Sequence, residues 1–118
     1  MKKILLLLIT LIFLNCANDS ISDLTDTSPL PTVVTYVNDV KPIIDSNCIS
    51  CHGNTPVNGA SISLLTYSQV RSAVENNDLI GRISTTQPSY LMPKGGPQLP
   101  QNLIDTVIKW QTDGFQDN

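Results

Sequence analysis

Cys48-Ile49-Ser50-Cys51-His52 places two thiols three positions apart and follows them directly with the chain's single histidine. Whatever these side chains hold, the fold has to form around it. A redox-active dithiol of this spacing normally lies between a strand and a helix in a βαβ context. The flanks here read as helix and loop, with no parallel-sheet pattern. A structural zinc site needs four ligands. Beyond Cys16, the soft donors of the chain are Cys48, Cys51, His52 and Met92. The second Cys/His pair that completes a zinc ribbon is missing, so a carboxylate or a ligand from another subunit would have to stand in.

A third chemistry needs only what is present. In Cys-x-x-Cys-His both sulfurs can form thioethers to the vinyl groups of a haem, and the histidine then brings a ring nitrogen to the iron. A chain of 118 residues with six aromatic side chains has limited means of building a core. Small folds commonly add a disulfide, a metal or a bound cofactor. A haem used for electron transfer takes a sixth ligand. Beyond the N-terminal segment Met92 is the only methionine, forty residues after His52. It lies in Tyr90-Leu91-Met92-Pro93-Lys94-Gly95-Gly96, where no helical face asks for a gap-filling methionine. Pro93 stiffens the chain beside the sulfur, and the glycines allow a sharp turn close to a flat ligand. Met92 is the expected ligand to iron; Lys94 or an open site is the alternative.

Lys2 and Lys3 precede an apolar run, Ile4 to Leu14, broken only by Thr10. A charged head before a short apolar stretch marks a secretory signal. Eleven helical residues rise about 16 Å against a hydrocarbon core of about 30 Å, so a stable membrane span is not expected. The run ends in Phe13-Leu14-Asn15-Cys16, which resembles a bacterial lipoprotein signal whose cysteine, here Cys16, becomes the lipid-modified first residue. The alternative is ordinary cleavage nearby, with Cys16 free or removed. The expected organisation is a signal peptide over 1–15, a polar linker over 16–32 that tethers the protein to a membrane, and one domain over 33–118. Loss of Lys2 and Lys3 takes the formal charge from −3 to −5. No cluster of Lys and Arg remains for a nucleic-acid surface. Export would place the domain in the periplasm or elsewhere in the cell envelope, where a Cys-x-x-Cys pair could also close as a disulfide.

The domain reads as all-α. Tyr36, Val37, Val40, Ile43 and Ile44 fall at helical spacing; a start at Asn38 or Asp39 puts Pro42 in the first turn, where its missing N–H is not needed, and an earlier start would require a kink there. Thr66 to Asn76 reads as a helix capped by Thr66, with Tyr67, Val70, Ala73 and Val74 along one side. Asp78 is placed to cap a short third helix ending near Ile83. Ser84 to Pro100 holds four prolines and two glycines and reads as a long functional loop. The last helix runs from about Pro100 to Asp113 with Leu103, Ile104, Val107, Ile108 and Trp110 inward and Gly114 as its stop.

With these residues in place, the stretch from Val33 to Gly114 is similar to a class I cytochrome c domain. The resemblance is carried by Asn38-Asp39-Val40-Lys41-Pro42-Ile43-Ile44, by Cys48-Ile49-Ser50-Cys51-His52, by the Met92-Pro93 loop with its glycines, and by Ile108-Lys109-Trp110 with Gly114. It implies a small all-α fold wrapped around one covalently attached haem c, with iron held by His52 and Met92. It also implies single-electron transfer between redox partner proteins rather than catalysis. The segment from Cys51 to Met92 departs from the family in being short of aromatics to pack a porphyrin. Two other roles stay open: a haem subunit feeding a larger redox enzyme, and a sensor or peroxidase-like site with a labile sixth ligand. Arg71 and Arg82 are candidates to pair with haem propionates, though solvated helix charges are the plainer reading. Trp110, Tyr67 and Tyr90 are read as packing first and propionate contacts second.

Overall fold

Thr35 ends the extended entry into the domain. Its N–H donates to the Asp39 carboxylate at 2.7 Å, and its hydroxyl oxygen accepts from the Asn38 N–H. A π-helical turn, Tyr36–Val40, follows, and α1, Lys41–Asn47, continues it without a break. These elements belong to a computed structural model that describes residues 29–118. The signal segment 1–15, Cys16 and nearly all of the linker lie outside the described residues.

Of the two expected starts the earlier one holds: the helix begins at Tyr36, and the irregularity that Pro42 demands takes the form of a π turn. Pro42 supplies the reason, since its ring crowds the carbonyl four residues back in a regular α-helix and a π turn shifts that register. The wide turn also rotates Val37 out to 45 % exposure, while Tyr36, Val40, Ile43 and Ile44 stay buried.

Three further helices complete the order: α2, Tyr67–Asn76; α3, Leu79–Ser84; and α4, Gln101–Thr112. Among the described residues there is no strand, only a single parallel bridge between Thr35 and Gln116. α2 starts on a capping box. Thr66 Oγ1 accepts from the Gln69 N–H, and the Gln69 side chain accepts in return from the N–H groups of Thr66 and Leu65. α3 starts differently from expectation. Asp78 precedes it with left-handed backbone (φ 53°), and its carboxylate makes no capping bond.

α4 stops where the glycine was expected. Gly114, at φ 82°, donates to the Gln111 carbonyl, and Phe115 donates to the Trp110 carbonyl. These are the paired bonds of a Schellman motif, and the Phe115 ring packs edge-on against Trp110 at 4.9 Å, as that motif's hydrophobic contact requires.

Trp110 is wholly buried and anchors an aromatic cluster with Tyr36, Tyr67 and Phe115, ring centroids 4.9 to 5.8 Å apart. The tail after α4 folds back over this cluster. The Gln116 carbonyl accepts from both the Trp110 indole and the Tyr36 N–H, each at 2.8 Å, and the Phe115 carbonyl accepts from the Tyr67 hydroxyl at 2.7 Å. Asp113 closes the same end, accepting from the Val34 N–H at 2.7 Å and from Lys109 at 2.9 Å. Four of the five described aromatics therefore gather where the start of the domain meets its C-terminal tail. The rest of the core is aliphatic: Val40 and Ile44 from the first elements, Val70 and Ala73 from α2, Ile83 from α3, and Ile104 and Val107 from α4. The π turn and α3 both pack on α4.

Candidate functional site

Cys48 caps the C-terminus of α1, its N–H still bonded to Ile44 at 2.9 Å. The chain then coils once more. The N–H groups of Cys51 and His52 both donate to the Cys48 carbonyl, at 3.1 and 2.9 Å. Residues three apart on such a turn share a face, so both thiols project to the same side. Gly53 follows where there is little room for a side chain: a Cβ there would lie 3.0 Å from the Ile49 carbonyl oxygen.

His52 is fixed at three points. Its N–H is bonded to Cys48, its carbonyl accepts from Leu64 at 2.8 Å, and its ring Nδ1 lies 2.8 Å from the Ile62 carbonyl. A carbonyl can only accept, so Nδ1 carries the hydrogen. Nε2 of the neutral ring therefore keeps its lone pair and can act as a ligand.

Met92 reaches the same place from the other half of the chain. Its N–H donates to the Arg82 carbonyl at the end of α3, at 2.9 Å. Farther along the loop, the Gln98 side chain donates to the Ser84 carbonyl at 2.8 Å. Between these anchors Pro93 to Gly96 makes a tight turn, closed by Gly96 N–H to Pro93 carbonyl. Gly95, at φ 77°, supplies the positive φ that the third position of a type II turn requires.

Cys48, Cys51, His52 and Met92 all line one cavity of about 770 Å³. That volume falls within the range of small-molecule and cofactor sites. Buried Leu64, Ala73, Leu79, Ile83 and Leu99 form aliphatic walls. Arg82 and Lys94 also line it. Lys41, Arg71 and Lys109 are paired with Asp45, Glu75 and Asp113, whereas Arg82 and Lys94 have no carboxylate partner among the described residues. Burial pushes the Cys48 thiol up to about 11. A redox-active Cys-x-x-Cys pair works through a lowered thiol pKa, so the shift runs against that alternative. The zinc alternative needs four converging donors, and among the described residues no three His, Cys, Asp or Glu side chains are arranged to hold a metal ion.

The other sequence candidates divide. Arg82 and Tyr90 reach the cavity; Arg71, Tyr67 and Trp110 do not. Arg71 bonds Glu75 and lies 5.0 Å from the Phe115 ring, while Tyr67 and Trp110 are tied to the C-terminal tail. Sequence reasoning missed the Ile62 carbonyl, because a backbone acceptor ten residues from its histidine leaves no side-chain signal. It also missed Asp78 as a cavity residue, having assigned it to a cap. Comparison with protein-family models, curated proteins and solved structures finds no match. The fold and site define an all-helical domain in which a Cys-x-x-Cys-His turn and a distant methionine share one cavity with aliphatic and polar walls.

Proposed function

We propose that this chain carries one covalently bound haem c and passes single electrons between redox partner proteins. The observation that supports this most is the cavity itself: it is lined by Cys48, Cys51, His52 and, forty residues on, Met92. The donor set fits the group. Each thiol can add its S–H across a vinyl double bond, the sulfur taking one carbon and the hydrogen the other. His52 Nε2, left free by the Nδ1 bond to Ile62, would be one protein ligand to the iron, and the Met92 sulfur would be the other. When bound, the haem supplies a one-electron iron couple. Paired with an imidazole, a thioether ligand would favour reduced iron more than a second imidazole does. The aliphatic part of the lining would disfavour the more highly charged oxidised state. Arg82 and Lys94 offer donors to carboxylates at the cavity edge. Cys16, ahead of the domain, would hold the protein to a membrane through lipid, in the periplasm or cell envelope.

The test is export through a c-type maturation system, followed by mass measurement and visible spectra of both oxidation states. A mass increase of one haem and a c-type reduced spectrum are expected. Met92→Ala should remove the sulfur–iron charge-transfer band while haem stays attached. Colourless protein of unmodified mass would overturn the proposal.

A further inference from the structure

Tyr90 stands two residues before Met92, and its hydroxyl donates to Asp78 Oδ2 at 2.9 Å. Asp78 is the residue that precedes α3. Its left-handed backbone and a carboxylate that makes no capping bond are unexplained by helix capping. Gly81, one turn on, explains where the carboxylate goes. A Cβ at position 81 would lie 2.4 and 2.5 Å from the two carboxylate oxygens, so Asp78 folds over the bare glycine toward Tyr90. From the other side, the Arg82 guanidinium lies over the Tyr90 ring at 4.3 Å, within cation–π range. Arg82 also accepts the Met92 N–H on its backbone carbonyl.

We infer that Asp78, Gly81, Arg82 and Tyr90 form a latch that holds the Met92 loop against α3 and so positions the methionine sulfur in the cavity. These are positioning residues, acting through Met92. The inference rests on Met92 as the sixth ligand and adds what keeps it in place. Asp78 and Tyr90 are separated by twelve residues, so their bond closes the start of the long loop onto the helix before it. Without it, Met92 is held to α3 by its own N–H and by Gln98 farther on.

The test compares Tyr90→Phe, Asp78→Ala and Gly81→Ala with the full wild-type chain, using two readouts. The first is hydrogen exchange at the Met92 amide. Loss of one hydrogen bond should speed it about threefold to tenfold in each variant, with the Trp110 amide unchanged. Gly81→Ala is the sharpest arm, because helix propensity alone predicts slower exchange there. Asp78→Asn should restore near wild-type exchange, since the amide oxygen still accepts from Tyr90 and asparagine tolerates left-handed backbone.

The second readout is imidazole binding to the oxidised, haem-loaded protein. Its apparent affinity rises in proportion to the fraction of molecules with Met92 off, so the same threefold to tenfold gain is expected. Unchanged exchange in all three variants would overturn the latch. Faster exchange with unchanged imidazole affinity would overturn its role in positioning Met92. Wild-type protein that takes up no haem would instead overturn the function proposed for the cavity, and the positioning of a ligand with it.

Discussion

Replacing Trp110 separates two roles open to an indole in a chain of this kind. Its ring is wholly buried, and its N–H donates to the Gln116 carbonyl. That carbonyl also accepts from Tyr36, so it keeps one partner when the indole is gone. Trp110→Phe therefore removes one hydrogen bond without orphaning its acceptor, a loss of about 1 kcal/mol. The smaller ring leaves a void of roughly a few tens of Å³, which at about 24 cal/mol per Å³ adds about 1 kcal/mol more. Trp110→Ala also loses the edge contacts to Tyr67 and Phe115 and should cost about 3–5 kcal/mol. Against a usual total of about 5–15 kcal/mol, the phenylalanine variant folds and the alanine variant is marginal. Urea unfolding followed by helical circular dichroism measures both. Trp110 lies outside the cavity lining, so Trp110→Phe should leave the redox potential of the haem-loaded protein unmoved. A shifted potential with unchanged stability would refute the assignment, because it would mean that the indole serves the cofactor and not the core.

Asp113 ties the entry segment to the end of α4, and its carboxyl is held below the ordinary 3.8, first by the Val34 N–H and then by Lys109. Its contribution to stability is complete above the unfolded-state pKa and is lost as pH falls through the lower folded-state value. Asp113→Asn should therefore flatten the acid side of the stability profile below about pH 4, and a variant with an unchanged acid limb would refute the coupling. Thr66→Ala removes the cap of α2 and should cost about 0.5–2 kcal/mol in the same unfolding assay, with no cost if Gln69 alone holds the helix start.

The amphipathic stripe of α4 was legible because burial and periodicity agree there. Ile104, Val107 and Trp110 are almost wholly buried, and Leu103 and Ile108 flank them half-buried. The same reasoning misplaced Val37. An α-helical period assigns it to the inner stripe, but the extra residue in the π turn carries it to solvent. At the site, Cys48, Cys51, His52 and Met92 were all readable as residue types with known chemistry, and the fold brings them to one cavity. What holds them was not readable. The Ile62 carbonyl and the Arg82 carbonyl are backbone atoms whose partners are set only once the loops close. Asp78 has the residue type of a helix cap and the position of one, yet Gly81 turns its carboxylate elsewhere.

Every residue lining the cavity falls between Asn47 and Leu99, whereas the stitches that join the two ends lie at 34–37 and 109–117. The domain thus keeps its points of suspension and its working chamber on separate stretches of chain. A support, a fused neighbour or an affinity handle added after the tail would load the seam first and reach the lining through Tyr67 on α2.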